Sequence, residues 1–144
     1  MTDRVLQAKA EALQRCLARI RATCPATAEA LSRDIDAQDI VSVNLIRAVQ
    51  LAVDMASHAT VAEGVPPPTT MAESFDRLAD AGRIEPDLAR RLRSAVGFRN
   101  LAVHAYDRMD WAVVHALATT RLGDLEALAR ALLVPPTPRA PSRR

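Results

Sequence analysis

The sequence predicts an all-α fold, an up-and-down bundle of four to five helices. Three observations carry that expectation. Hydrophobic residues make up 49% of the chain but aromatic ones only 3%, so alanine, leucine and valine must fill the core. Alanine and leucine favour helix, and the aromatic content that favours sheet is nearly missing. The 4 glycines are too few for a chain of tight β turns. Apolar residues also recur at three- and four-residue spacing in long stretches punctuated by proline and glycine. The 144 residues fit one domain, assigned here to residues 1–133. The tail 134–144, VPPTPRAPSRR, is rich in proline and arginine and is expected to be disordered.

The elements follow in order. A first helix is expected from Asp3 to Thr23, with Leu6, Leu13, Leu17 and Ile20 as its apolar stripe and Pro25 as its stop. The stretch from Ala26 to Asp36 holds room for a short helical turn. A long second helix is expected from Asp39 to Glu63, capped by Asp36 or Asp39 and closed by Gly64. Thr70–Met71–Ala72–Glu73 has the form of a capping box, opening a short helix to Ala81 that turns Phe75 and Leu78 inward and stops at Gly82. Pro86 opens a fourth helix that carries the chain into Arg99–Tyr106. A fifth runs from Asp110 to Leu133, with Gly123 as a place to bend or break. Phe98 and Trp111 are expected in the core.

Charge and cysteine content exclude several classes. A net charge of +2 is not the excess typical of a nucleic-acid coat. All basic residues but Lys9 are arginine, a bias that a GC-rich genome explains. Cys16 and Cys24 make no disulfide framework and no zinc spacing. The N-terminus has no apolar signal core, and no run of 18 apolar residues is present, so a cytoplasmic protein without a membrane span is expected. No cofactor and no metal are implied.

One stretch stands out: Gly97–Phe98–Arg99–Asn100–Leu101–Ala102–Val103–His104–Ala105–Tyr106. Its R-x4-H-x-Y pattern resembles the motif of HepT proteins, the DUF86 branch of the HEPN superfamily. The long-helix segment with Asp39, Asn44, Asp54 and His58, the TMAESFDRLADAGRI segment and Asp110–Trp111 are similar to the same family, so the likeness spans residues 1–133. The resemblance implies a homodimeric, metal-independent endoribonuclease toxin of a type VII toxin–antitoxin pair. Its partner is a nucleotidyltransferase antitoxin of the MntA kind, which attaches AMP to Tyr106 and silences the toxin. A phosphate ester two residues from His104 blocks the cleft and puts negative charge where RNA phosphate must sit.

The chemistry fits the residue types. RNA cleavage by 2′-hydroxyl attack needs a proton moved and a phosphorane held. An imidazole with an unperturbed pKa of ~6.5 suits the first task. A guanidinium that forks onto two phosphate oxygens suits the second. Arg99 and His104 are the catalytic candidates, with Asn100, Asp39, Asn44 and Asp54 as site-supporting residues. In an unbroken helix Arg99 and His104 point about 140° apart. Either the helix ends or distorts inside the motif, or arginine reaches around on its long stem, or a second subunit completes the pocket. Asn100 and His104 share a face, and so do Arg99 and Tyr106.

Arg90, Arg91 and Arg93 precede the motif and are candidates to steer RNA, or equally a solvated face paired with Glu85, Asp87 or other acids. Asp54 and His58 stand four apart, which suits a hydrogen bond better than a metal. His115 has no evident partner in the sequence. Two other readings remain open at this stage. One is a non-catalytic helical partner of a nucleotidyltransferase. The other is a dimerisation module, which has no need of the R-N-x3-H-x-Y string. The sequence does not name the RNA.

Overall fold

A computed structural model describes residues 3–135. It contains seven α-helices in the order α1 (Arg4–Thr23), α2 (Ala28–Arg33), α3 (Ile35–Ala62), α4 (Glu73–Asp80), α5 (Pro86–His104), α6 (Trp111–Thr120) and α7 (Leu122–Leu133). A 3-10 turn, Tyr106–Arg108, separates α5 from α6, and no strand occurs among the described residues. The tail expected to be disordered lies, from residue 136 onward, outside the described residues.

The bundle is organised around α3, which touches every other helix. Its composition and length are enough to cross a membrane, yet half of its most apolar window is buried inside the bundle. Alanines at 48, 52, 56 and 59 are all buried along it, which lets neighbouring helices approach closely. Leu13, Leu17 and Ile20 of α1, fully buried, pack on one side. Phe75 and Leu78 of α4 and Leu92 of α5 fill the core from other directions. Phe75 is 1% exposed. Phe75→Ala is therefore expected to cost about 3–5 kcal/mol, read as a lower urea midpoint with an unchanged slope.

Local chemistry explains where the helices start and stop. Asp3 caps α1 by accepting from the amides of Val5 and Leu6. Asp34 caps α3 through the Ala37 amide at 3.0 Å, so the long helix begins at Ile35, earlier than the expected Asp39. Neither Asp36 nor Asp39 is its cap; the shift arises because Ile35 is exposed and so does not join the buried apolar rhythm. Thr27 caps the short α2.

The expected capping box forms in part. Thr70 Oγ1 accepts from the Glu73 amide, but the Glu73 carboxylate takes its bonds from the amide and hydroxyl of Thr69. Residues 71 and 72 are consequently a turn, and α4 starts at Glu73. Gly82 ends the segment at φ +76°, where the Gly82 and Arg83 amides close back onto Ala79 and Leu78. Arg83 then reaches the carbonyls of Ala131, Leu132 and Val134 and pairs with Glu63, tying the end of α7 to the end of α3.

The expected fifth helix is two. The break falls at Arg121, before Gly123. Thr119 and Thr120 hydroxyls bond the carbonyls of His115 and Ala116, four residues back, a pattern that bends helices.

Candidate active site

The motif occupies the last turn of α5 and the turn after it. The helix runs unbroken from Arg99 to His104 and ends there, at Ala105 with φ −147° and ψ 51°. Of the first geometric option one half is met: the helix does not distort between Arg99 and His104, but it does end inside the motif, before Tyr106. Tyr106 falls in the 3-10 turn, so the expectation that it shares a helical face with Arg99 is corrected: the helix has already ended.

Each motif residue has a distinct setting. Arg99 is half-buried, and its Nη1 donates to Asn100 Oδ1 at 3.1 Å. Its Nε is buried and has no hydrogen-bond partner among the described residues. A desolvated guanidinium N–H without an acceptor is costly, so an anion is its natural complement. His104 is exposed and makes no side-chain hydrogen bond among the described residues. No ion pair joins Arg99 to Asp107 there either. Leu101 and Val103, on the same last turns, are 43% and 46% exposed.

Tyr106 is held on two sides. Its hydroxyl donates to Asp39 Oδ1 at 2.9 Å, and its ring meets Trp111 edge-on at 6.0 Å. Trp111, expected in the core, is half-buried at its rim because it props this tyrosine. Asp110 caps α6 just before it. Burial raises the phenol's pKa above 10, and the hydrogen bond and charge of Asp39 raise it further, opposed weakly by the neighbouring Ser42 hydroxyl. Ser42 Oγ is buried beside the phenol without closing a bond of its own. The chain has 1 tyrosine, so its ultraviolet titration reads this site alone. Asp39→Asn is expected to shift the phenolate transition to lower pH; an unmoved transition contradicts the contact.

The remaining candidates divide. Asp39, Asn44 and Asp54 line one open groove between α1 and α3, of 770 Å³. Of these only Asp39 contacts the motif. Asn44 donates to the carbonyl of Ile40 at 2.8 Å. Asp54 accepts from Gln50 at 3.0 Å and lies 3.8 Å from Lys9. The hydrogen bond expected between Asp54 and His58 does not form, because His58 pairs with Asp3 at 2.7 Å, tying α3 to the start of α1. His115 has a partner after all, the Pro25 carbonyl at 3.0 Å.

Arg90, Arg91 and Arg93 all carry acidic partners. Arg90 pairs with Asp87, Arg91 with Asp124 at 3.0 Å and Arg93 with Asp76 at 3.2 Å. Sequence reasoning missed Ser42, whose only signal was its place one turn after Asp39. It also missed Arg15, Arg19 and Arg47, which line the groove and sit on helices far from the motif in sequence.

A family model described as "Ribonuclease HepT-like" matches residues 13–132. The chain belongs to the HepT-like ribonuclease family. A relative from Shewanella oneidensis described as "mRNA nuclease HepT" is 29% identical over 126 residues, spanning 88% of this HepT-like chain and 93% of the relative. A solved structure of a toxin–antitoxin with AMP-PNP superposes with a TM-score of 0.84 at 26% identity, covering 90% of this chain and 98% of that one. A second, the tri-AMPylated Shewanella oneidensis HEPN toxin in complex with MNT antitoxin, also gives 0.84, at 27% identity and 90% and 97% coverage.

Proposed function

We propose that this chain is the toxin of a type VII toxin–antitoxin pair, an endoribonuclease that works without metal in the cytoplasm. The observation that carries the reading is the presence, on one helix end, of an exposed His104 and an Arg99 whose buried Nε has no acceptor among the described residues. RNA phosphate supplies that acceptor. Arg99 holds the nonbridging oxygens as charge builds on phosphorus. His104 moves the proton, taken from the 2′-hydroxyl or given to the 5′-oxygen. The products are a 2′,3′-cyclic phosphate and a free 5′-hydroxyl. Deoxyribose has no 2′-hydroxyl, so DNA is not cut.

Arg99 and His104 point about 140° apart on an unbroken helix. One chain therefore does not close them around a single phosphate. A homodimer in which each copy contributes one member resolves this. The exposed Leu101 and Val103 beside the motif offer apolar surface for it. Asn100 orients Arg99, and Asp39 orients Tyr106. Asn44 and Asp54 support the α3 face on which Asp39 stands.

The antitoxin is a nucleotidyltransferase like the MNT protein in the AMPylated relative's complex, and Tyr106 is the AMP acceptor. The 41% exposure of Tyr106 leaves it open to an enzyme. The reading is tested by induced expression of wild type and His104→Ala without the antitoxin in a bacterial host. Growth arrest by wild type alone supports it. Equal arrest by both, at equal protein levels, rejects the site.

A further inference from the structure

We infer that the groove between α1 and α3 is a phosphate track that holds single-stranded RNA beside the Arg99–His104 segment, gripped by Arg15, Arg19 and Arg47. The inference rests on the ribonuclease reading for its substrate class, and on the groove itself for its place.

Arg15 and Arg19 stand four apart on α1 and share a face; Arg47 lies opposite on α3. None of the three forms an ion pair or a side-chain hydrogen bond among the described residues, unlike Arg90, Arg91 and Arg93. The two acids in the same groove are engaged elsewhere: Asp39 by Tyr106, Asp54 by Gln50 and Lys9. Three arginines therefore stand against two aspartates along the groove, an excess of one positive charge, and none of the three forms an ion pair among the described residues. Arg47 and Arg15 line the same groove as Cys16, and both oppose the upward pKa shift that burial gives its thiol. Asp39 links the groove directly to Tyr106, two residues past His104, so a strand lying in it continues into the site.

The chemistry favours RNA over protein. A protein seated here has to bring acids of its own to three arginines that form no ion pair among the described residues. A phosphodiester backbone supplies an anion to each of the three guanidiniums without further acids. The floor is aliphatic, from Ile40, Val43 and Leu51, with no aromatic platform for base stacking. Binding is consequently electrostatic and indifferent to base sequence, with a salt slope of about −0.7 per neutralised phosphate.

The test measures fluorescence anisotropy of a labelled single-stranded RNA against the full chain carrying His104→Ala, so that nothing is cut. The same chain with Arg15→Gln, Arg19→Gln and Arg47→Gln is titrated beside it at several salt concentrations. The three positions are exposed, and circular dichroism verifies that the variant is folded. The expected result is at least a tenfold weaker Kd at low salt and a log–log salt slope shallower by about 2, three phosphates at about 0.7 each. Unchanged affinity and slope overturn the track. So does unchanged RNA binding together with a lost dimer or lost antitoxin complex on size-exclusion chromatography, which assigns the groove to a protein. If the wild-type chain cuts no RNA but the salt slope still drops, the ribonuclease reading fails and the track stands.

Discussion

Replacing His104 by alanine is expected to lower RNA cleavage by about 10²–10⁴-fold, the usual weight of a general acid–base group. The melting temperature should not move, because the imidazole is exposed and bonds nothing among the described residues. Arg99 makes a sharper case. Arg99→Lys keeps the charge but loses the fork that holds two phosphate oxygens, and about 10²–10³-fold should be lost. Arg99→Met should lose at least as much activity without loss of stability, since it removes a buried donor that has no acceptor among the described residues. Steady-state kinetics and a thermal melt on the same preparations check both. A Met variant that unfolds would make Arg99 a structural residue.

The second large effect concerns Tyr106. Incubated with the antitoxin and ATP, the wild-type chain should gain AMP mass and lose cleavage. Tyr106→Phe should gain no AMP at this position and remain active in the antitoxin's presence. The position of the phenol explains the size of the effect. It is fixed by Asp39 and Trp111 two residues from His104, so an added phosphodiester puts bulk and negative charge at the mouth of the site. Intact-mass spectrometry and a cleavage assay read the two consequences separately. A Phe variant that the antitoxin still silences would show that silencing works by docking rather than by modification.

Much of the fold was legible because the signals were local. The apolar stripe of α1, Pro86 at the start of α5 and Gly82 after α4 each act within a few residues. The errors came where tertiary context decides. Ile35 is exposed, so the start of α3 was read too late; the break at Arg121 depends on two threonine hydroxyls folding back on their own helix. The site was legible in its motif and opaque in its geometry. Nothing in the string R-x4-H-x-Y says that the helix ends at His104, or that Asp39, 67 residues before Tyr106, accepts a hydrogen bond from its hydroxyl. The arginines nearest the motif in sequence turned out to be neutralised by Asp87, Asp124 and Asp76. Those that share the α1–α3 groove, without an ion pair among the described residues, come from distant segments, which no local pattern brings together.

Metal-free 2′-hydroxyl attack through His104, as proposed, fixes the chemistry of the product ends. The most direct measurement incubates the purified wild-type chain and His104→Ala with RNA in excess EDTA and determines the chemistry of the new ends. The account predicts 2′,3′-cyclic phosphate and 5′-hydroxyl ends from wild type and none from His104→Ala. Equal cleavage by both chains, or cleavage that appears only when a divalent cation is restored, would contradict it.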